Sequence, residues 1–122
     1  MKNIFIEYPK CTTCIKAKKY LDAKKAKYED RHIKDNNPTK GELTKWIKKY
    51  NIEIKKLFNT SGMKYRELGL KEKLPNMTEE EKISLLATDG MLVKRPLLIT
   101  DNNIVIGFKE KEYENILKWK RK

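Results

Sequence analysis

Histidine occurs once in this chain, as His32, and cysteine only at positions 11 and 14. A closed zinc site of the usual kind takes four nitrogen or sulfur ligands, so one chain of this composition does not build one. No apolar run approaches the roughly 20 residues that a membrane helix requires. The opening MKNIFIEYPK has a short apolar segment and no small-residue cleavage pattern after it, so a cytoplasmic protein without a secretory leader is expected. Arginine is sparse too: with only Arg31, Arg66, Arg95 and Arg121, lysine supplies nearly all the positive side of a net charge of +12. Bidentate recognition of bases and phosphates favours the guanidinium fork. The lysines are also interleaved with acids, as in KEKLPNMTEEEK and FKEKEYEN, which reads as a solvated surface. A dedicated nucleic-acid role is therefore not expected, in spite of the basic balance. Repeats and low-complexity linkers are lacking, and 122 residues suit one core, so a single domain over 1–122 is expected. A monomer is expected as well, although no residue pattern decides it.

What the chain does contain is a clear alternation of patterns. NIFIEY, residues 3–8, is a short run of β-branched and aromatic side chains of the kind found in a buried strand, and Pro9 breaks it. Over residues 12–25 the period changes: Cys14, Ala17 and Leu21 recur at three and four, with lysines on the opposite face, which predicts a helix. YEDRHI, residues 28–33, follows as a second strand, parallel to the first in a βαβ unit. Thr39 and Glu42 then form a capping-box pattern ahead of Leu43, Trp46, Ile47 and Tyr50. A turn at 59–62 precedes a short helix near 64–68 that Gly69 ends, and Thr78 caps a further helix carrying Ile83, Leu86 and Ala87 inward, with Gly90 past its end. RPLLIT and NIVIGF, joined around DNN, read as a hairpin, and KEKEYENILKWK closes as a helix with Tyr113, Ile116 and Leu117 on one side. The order βαβ, helical insertion at about 38–88, then ββα predicts an α/β fold with helices packed on a mixed sheet.

The two cysteines stand two residues apart in YPKCTTCIKAKKYL, where the first strand gives way to the first helix. In that setting a C-x-x-C pair reads as a thioredoxin-like redox couple. A thiolate at a helix N-terminus meets the positive end of the macrodipole and unpaired N–H groups, which lower its pKa. Cys11, ahead of the helix, is the expected attacking thiol, with Lys10 adding positive charge beside it, and Cys14, one turn further, the resolving thiol. The bland alternative is a pair of small buried hydrophobes. KRPLLIT places Pro96 at the start of a buried strand, where its missing N–H costs a ladder bond. Tyr8 and Trp46 are assigned to packing.

Taken together, YPKCTTCIKAKKYL, LFNTSGMKYRELGL, DGMLVKRPLLI and VIGFKEKEY resemble the arsenate reductase-like branch of the thioredoxin superfamily, which contains glutaredoxin-dependent arsenate reductases and the Spx/MgsR regulators. The resemblance spans essentially the whole chain. It implies a thioredoxin/glutaredoxin-like fold, with Pro96 in cis beside the reactive cysteine. It also implies a thiol-dependent oxidoreductase, with Cys11 and Cys14 catalytic and Arg66, Arg95 and Pro96 at the substrate. For Arg66 the alternative is a solvated helix residue. The third arginine of the reductases has no counterpart; the stretch here is IGFKE, with Phe108 and Lys109. No resident cofactor is implied, and glutathione or a thioredoxin or glutaredoxin is the expected reductant. The alternative within the same family is a redox-sensing regulator that uses the cysteine pair and binds the C-terminal domain of the RNA polymerase α subunit.

Overall fold

A computed structural model describes residues 3–120, with side chains as far as Ile116. Arg121 and the side chain of Leu117 therefore lie outside the described residues. The chain divides into two compact units: one runs up to His32 and resumes at Arg95, and the other is Ile33–Lys94.

The first unit holds the four-stranded sheet. Strand β1 (Ile4–Glu7) leads into helix α1 (Thr12–Ala23) and strand β2 (Glu29–His32); β3 (Leu97–Ile99), β4 (Ile104–Ile106) and the closing helix α6 (Glu110–Lys120) complete it. The strand order is β2-β1-β3-β4, with β1 parallel to β2 and antiparallel to β3, and β3 antiparallel to β4. This is the expected mixed α/β sheet. The parallel pair needs a crossover, which α1 supplies. The antiparallel pair needs only a tight turn, in which the Thr100 N–H donates to the Asn103 carbonyl at 2.8 Å and the Asn103 N–H to Thr100 Oγ1 at 3.0 Å. Pro96 sits one residue before β3, so its missing donor costs nothing inside the strand, while its carbonyl accepts from the Gly107 N–H at 2.8 Å. The Arg95–Pro96 peptide is cis.

Alternation along β1 aims Phe5 at a fully buried cluster with Ala17 and Leu21 of α1, Leu98, Val105 and Tyr113 of α6. Phe108 closes edge-on against Tyr113, with ring centroids 5.1 Å apart, and Tyr20 meets both rings. Each large side chain so buried contributes about 2 kcal/mol. Helix α1 stops at Ala23, two residues earlier than its lysine-rich pattern predicts. Lys25 takes a left-handed φ of 56°, and the Ala26 N–H turns back to the Leu21 carbonyl at 3.0 Å. No glycine announces that stop, so the sequence does not reveal it.

The second unit is helical: α2 (Lys40–Tyr50), α3 (Met63–Glu67), α4 (Leu70–Lys73) and α5 (Glu79–Thr88), with short 3₁₀ turns at Ile54–Leu57, Leu74–Asn76 and Gly90–Leu92. Thr39 caps α2 as the sequence predicts, accepting from the Glu42 N–H at 3.1 Å while Glu42 accepts from the Thr39 N–H at 3.0 Å. Thr78 and Glu81 repeat the arrangement on α5 at 3.1 and 2.8 Å. Leu43 and Trp46 of α2 and Ile83 and Leu86 of α5 are buried, whereas Ile47, Tyr50 and Ala87 are only half-buried. Gly69 ends α3 at a left-handed φ of 62°, as expected, and the next helix, α4, starts directly after it. That second start is not legible in the sequence, because LKEK is too short to show a helical period.

Candidate active site

Cys11 is the N-cap residue of α1, in extended conformation with φ −83° and ψ 123°, and the Ile15 N–H closes the first helical turn onto its carbonyl at 3.0 Å. The turn from β1 is held by the Cys11 N–H donating to the Tyr8 carbonyl at 2.9 Å. A cysteine stands in place of the usual Ser, Thr or Asp cap, and its side chain makes no capping hydrogen bond. No acid occupies the first turn, so no carboxylate competes for that positive end. Cys11 is half-exposed and Cys14 is wholly buried, and both are free thiols.

The surroundings displace the two thiols in opposite directions. Burial pushes Cys11 up, but the backbone N–H and the thiol of Cys14, the N–H of Thr13 and the positive charge of Arg95 together outweigh it, and the net displacement is downward. Burial dominates at Cys14. The N–H of Tyr8 donates to its sulfur at 3.5 Å and favours the thiolate, but the bond and the charge of Cys11 add to burial, and Cys14 is pushed up to about 12. The hydroxyl of Tyr113, within the field of the Cys14 sulfur, is held above the usual phenol range chiefly by its own burial, and it donates to the Gly107 carbonyl at 3.3 Å.

Arg95 is half-buried, with its guanidinium carbon 5.4 Å from the centroid of the Tyr8 ring. The Tyr8 ring also meets His32, edge-on at 5.8 Å. Tyr8 therefore does more than pack, which corrects its assignment from sequence: its ring seats Arg95 and its N–H addresses Cys14. Its place three residues before Cys11, directly ahead of Pro9, is the one sequence signal that could have found it. Trp46, by contrast, is a buried residue of α2. Arg95, rather than the exposed Lys10, is the cation that bears on Cys11. Pro96 is buried next to it. The structure thus brings Cys11, Cys14, Arg95 and Pro96 into one unit. Arg66 belongs to the other unit, exposed on α3, with its Nη2 donating to the Ser61 carbonyl at 3.2 Å. Among the described residues, no three His, Cys, Asp or Glu side chains gather as a metal site.

A charged cluster that the sequence reading missed lies beside the motif. Glu7, on β1, is only 4% exposed, and Lys18 of α1 reaches it at 3.4 Å while also pairing with Asp30 of β2. Burial, then the hydrogen bond and charge of Asp30, raise the Glu7 carboxyl to about 7 against the pull of Lys18. At Asp30 burial acts upward, yet its bonds to Glu7 and Lys18 hold it below its usual range. The signal was available: strand alternation puts Glu7 on the same inward face as Phe5.

Comparison with known proteins places this site in context. The ArsC family model matches residues 6–116. YusI of Bacillus subtilis is 50% identical over 114 residues, covering 93% of this chain and 97% of that protein. The regulatory protein MgsR of the same organism is 32% identical over 117 residues, covering 95% and 90%. The crystal structure of an ArsC family related protein from Bacteroides fragilis superposes with a TM-score of 0.90 at 52% identity, covering 95% of this chain and 98% of that one. With a thioredoxin-like sheet, a thiol at the head of its first helix and a family match over nearly its whole length, this chain belongs to the ArsC family.

Proposed function

We propose that the chain is a thiol–disulfide oxidoreductase in which Cys11 attacks and Cys14 resolves. The observation that carries this reading is the pairing of one half-exposed thiol, lowered at a helix N-terminus, with one buried thiol a turn away that is held protonated. The Cys11 thiolate attacks one sulfur of a disulfide RS–SR′. A Cys11–SR bond forms, the S–S bond breaks, and R′S⁻ leaves with the electron pair and takes a proton from water. Forming the mixed disulfide removes the Cys11 charge, which is among the influences that raise Cys14. Cys14 therefore becomes more acidic at the moment its thiolate is needed. It gives its proton to solvent and attacks the Cys11 sulfur, and RS⁻ departs and is protonated. The substrate has gained two electrons and two protons, and the pair has become a disulfide. A small thiol such as glutathione, or a thioredoxin or glutaredoxin, returns the electrons. Arg95 holds an anionic part of the substrate, and Pro96 shapes the wall beside Cys11.

Thiol trapping in a series of redox buffers, read by intact mass, tests the reading. Both thiols should disappear together and reversibly. Cys11→Ser should abolish reduction of a test disulfide, and Cys14→Ser should accumulate the mixed disulfide. Unchanged turnover in Cys11→Ser would refute the proposal. The kinship with a named regulatory protein over 90% of its length favours a second reading, a redox-sensing regulator that binds the RNA polymerase α subunit. That reading expects α-subunit retention to depend on the oxidation state of Cys11 and Cys14.

A further inference from the structure

A groove of about 400 Å³ in the sheet-bearing unit starts next to the cysteine motif. One wall is the stripe of α1 that begins at Cys11: Ile15, Lys18, Lys19 and Asp22 follow it at helical spacing and line the groove. Asp30 and His32 of β2, the buried Glu7 of β1 and the exposed Pro9 line the rest, so that Glu7 forms its floor. Ile15 is 41% exposed, one of only two large apolar side chains exposed among the described residues, and it lies one helical turn from Cys11. An exposed isoleucine between a reactive sulfur and a charged groove offers apolar contact to whatever chain is attached to the sulfur under attack.

The charges define what the end of that chain should carry. Glu7 and Asp30 share the single ammonium of Lys18, and Glu7 is shielded from water. Asp22 is engaged by the Tyr28 hydroxyl at 2.7 Å, and Lys19 is on the outer rim with its side chain exposed. His32 is turned edge-on to Tyr8. Two carboxyl groups held by one cation can both ionise at little cost only when a second cation arrives. An anion entering the same floor meets the Asp30 carboxylate.

We propose that this groove is the subsite for a primary ammonium group carried by the thiol or disulfide partner of Cys11, received by Glu7 and Asp30, with its methylenes against Ile15 and Pro9. The partner class is an aminothiol or its disulfide. This rests on the redox reading above and deepens it: Arg95 addresses an anionic group of the substrate, and the groove a cationic one.

The test uses three symmetric disulfides of similar size: cystamine (cationic), 2-hydroxyethyl disulfide (neutral) and 3,3′-dithiodipropionate (anionic). Each is reduced in a single turnover by the reduced protein, and each rate is divided by that of a free monothiol with the same disulfide to remove intrinsic reactivity. Cystamine should exceed the neutral disulfide by about 10-fold, a charge-assisted contact's worth. That ratio should collapse toward unity in Glu7→Gln and, independently, in Asp30→Asn, whose side chain is on the surface and whose replacement is not expected to disturb folding. A cystamine-to-neutral ratio near unity in the wild type, or one unchanged in the folded variants, would overturn the subsite. If the wild type reduces none of the three, the redox reading fails by itself. Titration with 1,6-diaminohexane, followed by the amide resonances of Asp30 and His32, then decides the groove alone: saturable shifts lost in Asp30→Asn uphold it, and their absence refutes it.

Discussion

Pulse alkylation of the reduced wild-type protein with iodoacetamide, between pH 5.5 and 9 and with site-resolved mass spectrometry, should label the two cysteines at very different rates. Cys14 is displaced from 9.0 to about 12. Three units leave about a thousandfold less thiolate at any pH in this range. A more basic thiolate is also a better nucleophile, and with a Brønsted coefficient of about 0.5 this returns about 30-fold, so roughly a 30-fold deficit remains from ionisation alone. The complete burial of Cys14 widens the gap at every pH, and the downward displacement of Cys11 widens it at pH values below the Cys11 midpoint. Cys11 should therefore reach half its maximal rate below the ordinary thiol range, with Cys14 at least about 30-fold slower at every pH below that midpoint. In Arg95→Gln the Cys11 midpoint should move up modestly, since burial and the N–H groups of Cys14 and Thr13 rank above the arginine. Equal labelling of the two thiols, or a Cys11 midpoint at or above the ordinary value, would refute the assignment of attacking and resolving roles.

The remaining predictions concern stability. A Cβ at Gly90 would stand 1.9 Å from the Ile33 carbonyl oxygen, a backbone atom that cannot step aside, so Gly90→Ala should cost at least about 3 kcal/mol in urea unfolding; a near-neutral result would mean that this contact relaxes. Glu7 has its folded-state pKa raised from 4.5 to about 7, so its stabilising protonation is complete below 4.5 and is lost as pH rises through 7. Between pH 4.5 and 8 the wild type should therefore lose up to about 3 kcal/mol relative to Glu7→Gln, which does not titrate; parallel pH–stability profiles would remove the buried-acid assignment. Thr78→Ala, which removes the side chain accepting the Glu81 N–H at 3.1 Å, should cost about 1 kcal/mol, read as a lower urea midpoint with an unchanged slope.

The elements that the sequence disclosed are those whose signals are local. Thr39 with Glu42 marks the start of α2 because a capping box needs only four consecutive residues. Gly69 marks the end of α3 because a left-handed residue is easiest as glycine. The stop of α1 at Lys25 is equally left-handed but is taken by a lysine, and composition says nothing about it. Helix α4 is a single turn, too short for any period to be read.

The candidate site divides along the same line. Two cysteines at the junction of a strand pattern and a helix pattern already specified a thiol at a helix N-terminus, because spacing and helix geometry alone put Cys11 at the cap and Cys14 one turn inside it. What distinguishes the two sulfurs depends on atoms distant in sequence. Arg95, some eighty positions along the chain, reaches the Cys11 field only because β3 pairs with β1, and Tyr8 becomes its seat by the same pairing. Glu7 meets Asp30 only because β1 and β2 run parallel in register, and Lys18 joins them only because α1 packs across that pair. Local pattern determines where a helix begins and which residue caps it. Burial and long-range charge, which set each pKa, depend on which strands lie side by side, and that only the tertiary structure decided.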